Sequence, residues 1–102
     1  MSKKLDLYLA NLGVNYVKLH NLHWNVIGRG FKQVHEYLEA LYDETTESFD
    51  EVAEYQKMVG EYPKASLEEY LKIATIKELE SKDYSIEDAL KIAVEDQKLM
   101  RD

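Results

Sequence analysis

His23, His35, Glu39, Asp50 and Glu54 are the residues of this chain whose types and spacing suit chemistry. Imidazole nitrogen and carboxylate oxygen hold iron(II), manganese, cobalt or zinc, whereas copper(I) and other thiophilic metals need sulfur. His35/Glu39 and Asp50/Glu54 are each i,i+4 pairs, the helical spacing that aims two side chains at one spot. At about 100° per residue all four fall within a stripe roughly 100° wide. Thr46 and Ala53 share that stripe and are small enough to admit another helix. One chain cannot gather the four around one ion. At ~1.5 Å rise per residue, His35 and Asp50 stand about 22 Å apart along the axis, and bonds from such ligands to a metal are only about 2.0–2.2 Å long. The pairs His35/Glu54 and Glu39/Asp50 nevertheless share one midpoint, between Glu44 and Thr45. Two copies crossing antiparallel there set His35 of one opposite Glu54 of the other, and Glu39 opposite Asp50. An isologous contact of this kind yields two identical sites, and His23, carried on a packed neighbouring helix, completes each.

Simpler readings of the same residues stay open at this point. His23 lies at the centre of an apolar stripe and His20 at its edge, where a histidine is often a hydrogen-bonded core residue. Glu36, Asp43, Glu44, Glu47 and Glu51 read as a solvated acidic face. No Lys or Arg lies between Lys32 and Lys57, however, so the charges along this helix lack interleaved compensation. Something cationic is expected to supply it.

The elements that must position these residues are helices. Leu5, Leu9, Leu12, Tyr16, Leu19, Val26 and Ile27 form a 3.6-residue stripe that predicts a first helix over 5–27, interrupted by Gly28 and Gly30. The stripe resumes through Phe31, Val34, Leu38, Leu41, Phe49 and Val52, predicting a second long helix over 31–59 that Gly60 and Pro63 end. A short glycine-containing link folds two such helices into an antiparallel hairpin. Ser66-Leu67-Glu68-Glu69 is a capping box opening a short helix to about residue 74, and a polar connector over 75–84 follows. Ser85-Ile86-Glu87-Asp88 is a second capping box, opening a last helix that runs to Asp102 without a stop signal.

Composition narrows the function classes. The 102 residues suffice for one domain, or part of one, and the net charge of −7 argues against DNA or anionic membrane as a default partner. With no cysteine, disulfides, zinc ribbons, iron–sulfur clusters and thiol nucleophiles are excluded. Met1 to Leu12 carries charge and no apolar signal-peptide core, and no run reaches the length of a membrane span, so a cytoplasmic location is expected.

The stretch Tyr16-Val17-Lys18-Leu19-His20-Asn21-Leu22-His23-Trp24-Asn25-Val26, followed by Gly28, His35-Glu36, Leu41-Tyr42-Asp43-Glu44, Asp50-Glu51 and Ala53-Glu54, resembles the DNA-protection-during-starvation (Dps) family of miniferritins. Leu67 to Leu71 and Tyr84 to Glu87 resemble that family's connection into its third long helix. The resemblance implies an all-α, ferritin-like antiparallel helix bundle. It implies a ferroxidase oxidising iron(II) with hydrogen peroxide or dioxygen at a di-iron or mono-iron site between two subunits, sequestering iron and protecting against oxidative stress. His23, His35 and Glu39 would come from one subunit, with Asp50 and Glu54 from its two-fold mate. Trp24 would be a nearby electron donor, and His20 structural. Family members continue through the rest of the third long helix and a fourth, closing a twelve-chain shell. Residues 1–102 are therefore expected to be a single truncated ferritin-like domain whose partner is a second copy, the larger shell being left open. DNA binding is not expected, since the basic tail some members use is missing. The competing expectation is a non-enzymatic helical dimerisation module or partner subunit. The Glu-x-x-His signature of di-iron sites within one ferritin chain is absent.

Overall fold

The apolar stripe of the first segment winds it into α1 (Ser2–Asn25) and buries Leu9, Leu12, Leu19 and Leu22 along one face. That face lies along α2 (Phe31–Met58), which contributes Val34, Leu38 and Leu41. The computed structural model describes residues 2–101, with side chains from residue 3. The two helices form the expected antiparallel hairpin, and the whole is a rod of 48 × 22 × 22 Å. Its core has two parts. Near the hairpin link, Leu19, Leu22, Val26, Val34, Leu38 and Leu41 meet Tyr84, Ala89 and Ala93. Toward the other end, Leu9, Ala10 and Val14 meet Tyr70 and Ile76, with Phe49, Val52 and Ala53 packed against them.

The stop signals act as their chemistry requires. Gly60 adopts φ 88°, its N–H bonds Lys57 O and the N–H of Glu61 bonds Gln56 O. This is a Schellman closure that leaves the last carbonyls of α2 satisfied. Ser66 caps α3 (Leu67–Ile73): its hydroxyl accepts from the Glu69 N–H at 3.3 Å, one half of the expected box, and Glu69 Oε1 accepts from the Ser66 hydroxyl at 2.9 Å, not from the Ser66 backbone N–H. Ser85 accepts from the Asp88 N–H at 3.1 Å and opens α4 (Ile86–Arg101).

Two expectations need correction. The first helix ends at Asn25, not at residue 27, because Val26 and Ile27 become β1 (Val26–Ile27) and pair in parallel with β2 (Tyr84–Ser85). β-branched side chains suit this extended pairing, which buries Val26 against Tyr84. The connector over 75–84 is also less polar in its packing than in its composition, since Ile76 and Tyr84 are buried. Asparagines of α1 clamp it. Asn11 Oδ1 accepts the N–H groups of Thr75 and Ile76 at 2.8 and 3.0 Å, and Asn21 Nδ2 donates to Glu80 O at 3.0 Å. No helix among the described residues is long and apolar enough to cross a membrane.

Candidate metal centre

His23 belongs to the last turn of α1, where carbonyl groups lack helical partners, and His35 lies just inside α2. The hairpin link turns the chain so that each histidine bonds the backbone of the other. Nδ1 of His23 donates to His35 O at 2.7 Å, and Nδ1 of His35 donates to His23 O at 2.7 Å. The rings consequently stack with centroids 3.5 Å apart and 17° between planes. Both imidazoles are held as the tautomer with the proton on Nδ1, so both Nε2 lone pairs are free for a ligand. Phe31, one turn before His35, covers that ring at 5.0 Å.

Glu39 is one turn beyond His35, and its Oε1 is 4.0 Å from Nε2 of the buried His23. One ligand atom from each of His23, His35 and Glu39 lies within 4.8 Å of the others, the only such cluster of three or more among the described residues. Donors around an ion with bonds of about 2.0–2.2 Å must approach more closely than this. Glu39 is half exposed, so its side chain is free to swing inward, while the histidines stay fixed by their backbone bonds. The three residues fit a divalent ion and leave coordination positions open.

Asp50 and Glu54 lie farther along α2, both exposed. The hydrogen bond to Asp50, then the charge of Asp50, then partial desolvation and the charge of Glu51 raise the Glu54 carboxyl above its ordinary range. On an unbroken helix Asp50 and Glu54 remain about 22 and about 28 Å from His35 along the axis, so the chain brings together His23, His35 and Glu39 and leaves Asp50 and Glu54 apart. Ala53, of the same stripe, already packs partly against the second core cluster. Thr46 stays exposed, its hydroxyl bonded to Tyr42 O at 2.9 Å.

Trp24 is 67% exposed and meets His20 edge-on at 5.4 Å. His20 is no part of the ligand cluster: its Nδ1 bonds Tyr16 O at 2.7 Å and its ring stacks on Tyr42 at 3.8 Å. Tyr42 is the residue that the sequence reading missed. It packs edge-on to His23 at 5.2 Å, and its phenol is held protonated above the ordinary tyrosine range by burial and by the charges of Glu39, Asp43 and Tyr16. Its available signal was its place three residues after Glu39 and seven after His35, on the same side of α2.

Residues 2–102 match the ferritin-like domain family. Antigen TpF1 of Treponema pallidum is 46% identical over 88 residues, which cover 86% of this chain and 50% of that protein. A DNA protection during starvation protein of Helicobacter pylori is 35% identical over 89 residues, 87% of this chain and 62% of that one. The chain thus spans about half the length of most of the curated relatives it matches. Among solved structures, antigen TpF1 from Treponema pallidum superposes with a TM-score of 0.94 at 42% identity, covering 96% of this chain and 63% of that one. Dps from Listeria monocytogenes superposes with a TM-score of 0.91 at 34% identity, covering 97% and 65%.

Proposed function

The chain belongs to the ferritin-like family, on its Dps branch, and on that premise we propose that it is a ferroxidase working in iron sequestration and oxidative-stress protection. Iron(II) is the substrate, hydrogen peroxide or dioxygen the oxidant, and residues 1–102 act as one ferritin-like unit. The observation that carries this reading is the interlocked His23–His35 pair, which presents two free Nε2 atoms beside Glu39. Such a donor set suits iron(II).

The site is completed across a two-fold axis. A second copy, crossing α2 near Glu44 and Thr45, brings Asp50 and Glu54 to the histidines. Two features favour this. The acids of the pair are exposed and repel one another, a condition that a cation relieves. The histidine half leaves coordination positions open. Two imidazoles and three carboxylates then hold the ion, and carboxylates stabilise the iron(III) product. Trp24 stands outside the ligands as a donor of further electrons.

The test is anaerobic iron(II) titration of the chain, followed by peroxide. Binding is expected to saturate at a fixed ratio to dimer and to disappear in His23→Ala/His35→Ala. Saturation unchanged in that variant, or none in the unmutated chain, defeats the reading and leaves a helical dimerisation module without iron chemistry.

A further inference from the structure

His23 O is open to Nδ1 of His35 because α1 stops where it does. Each helical N–H bonds the carbonyl four residues back, so a helix running on would give that carbonyl to the N–H of Ile27. The chain instead leaves the helix after Asn25, and Val26 and Ile27 pair with Tyr84 and Ser85. A hydrogen-bond network lies across this exit. Asn21 Oδ1 accepts from Asn25 Nδ2 at 2.7 Å, and Asn21 Nδ2 donates to Glu80 O at 3.0 Å. The same Glu80 carbonyl accepts from the Tyr84 hydroxyl at 2.7 Å, and the Tyr84 ring is buried with Val26 in the core beside the link. One asparagine thus ties the last turn of α1 to the connector that draws residues 26–27 out of the helix. Holding the connector to the bundle accounts for the bond to Glu80 O. It does not account for the second bond, to Asn25, which braces the turn that carries His23.

We propose that Asn21 is a positioning residue of the metal centre, which ends α1 at Asn25 and so keeps His23 O available to His35. Through that one carbonyl it holds the His35 proton on Nδ1 and the lone pair on Nε2. The inference rests on the reading of His23, His35 and Glu39 as metal ligands, and Asn21 itself touches no ion. Without its side chain, the last turn of α1 loses its tie to the connector. The helix can then extend by one bond, from the Ile27 N–H to His23 O, and Nδ1 of His35 loses its acceptor. A neutral imidazole carries its proton on either nitrogen. Freed of the bond, the His35 ring also populates the tautomer with the proton on Nε2, which offers the ion no lone pair there. A ligand's outer hydrogen bond fixes both its tautomer and its orientation. Here the fixing group is a backbone carbonyl, and Asn21 governs whether that carbonyl is free.

The metal-free chain tests the tautomer directly. With isotope-labelled histidine, long-range proton–nitrogen correlation spectra, taken where imidazole is neutral, show which nitrogen of His35 carries the proton. The unmutated chain is expected to show Nδ1–H, and Asn21→Ala a shift toward Nε2–H. Cobalt(II) affinity, measured by equilibrium dialysis, should fall with it by about tenfold, the lower end of what removing such an outer partner costs. Tyr84→Phe leaves the ring in the core and removes the other bond to Glu80 O, so both readouts should move the same way by less. That variant decides the question if Asn21→Ala does not fold. Asn11→Ala is the control, because Asn11 clamps the connector at Thr75 and Ile76, about 18 Å along α1 from His23. It should lower the urea midpoint and leave tautomer and affinity unchanged. A His35 tautomer or a cobalt(II) affinity that stays the same in Asn21→Ala and Tyr84→Phe overturns the inference, and so does an equal loss in Asn11→Ala. Those results leave the metal reading standing. Cobalt(II) left unbound by the unmutated chain overturns the metal reading and this inference together.

Discussion

The two ends of α2 carry the same kinds of ligand in opposite states. At the hairpin end, His35 is locked to His23 by two backbone hydrogen bonds and a ring stack, and Glu39 stands alongside. Farther along, Asp50 and Glu54 are both exposed, and the proximity of Asp50 raises the Glu54 carboxyl above its ordinary range. The histidine half is preorganised by its own chain because backbone carbonyls at the end of α1 need donors in any case. The acidic half has no such anchor and stays poised for a cation or a partner. A site divided in this way ties metal binding to pairing: each copy holds a rigid half and an adaptable half.

The largest effect that tests this division comes from mixing variants. His23→Ala/His35→Ala and Asp50→Ala/Glu54→Ala homodimers should each be inactive, since both of their sites lack one half. After joint unfolding and refolding, mixed dimers hold one intact site, and activity should return to roughly a quarter of the unmutated level with random pairing. Mixing verified by mass with no recovery breaks the comparison, because it means that each chain's site is its own.

Acidification should distinguish the halves next. Protons compete with the ion for both Nε2 atoms, so taking the buffer from about pH 7.5 to about pH 5.5 should weaken iron(II) or cobalt(II) binding roughly tenfold or more, measured by equilibrium dialysis. Binding unchanged over that range would remove the histidines from the ligand set.

Gly60→Ala separates fold from site. Its φ of 88° lies in the left-handed region and an added Cβ would meet nothing within 4 Å, so backbone strain is the whole cost. Thermal or urea unfolding should show a loss of about 1–2 kcal/mol with iron binding retained. A loss of binding in step with stability would tie the hairpin end to this far closure.

The smallest expected effect concerns the free acidic half. Glu54 has its folded carboxyl raised, so the stability tied to its protonation is fully present below the ordinary carboxylate range and is lost as pH rises through the folded value. Urea midpoints of the metal-free chain should therefore rise slightly on acidification through that window, and Glu54→Gln should flatten the rise. A metal-free chain and its Glu54→Gln variant with identical pH profiles would mean that the pair is not strained.

The sequence by itself determined the helices and the ligand types. The stripe through Leu9, Leu12, Leu19 and Leu22 names the buried face of α1, Gly60 marks the end of α2, and Ser66 and Ser85 mark where α3 and α4 begin. All of these signals act within a turn or two, where spacing and interaction are nearly the same thing. The i,i+4 relation of His35 to Glu39 was legible for that reason. Tertiary structure alone decided that His23 and His35 exchange backbone hydrogen bonds and so expose their Nε2 atoms. It also placed Tyr42 between His20 and His23, and drew Val26 and Ile27 out of the helix to pair with Tyr84 and Ser85. Lys18 of α1 likewise finds Asp96 of α4 at 2.6 Å. These contacts join residues on different elements, and their geometry follows from how the helices pack and where the link turns, which no periodicity within one helix encodes.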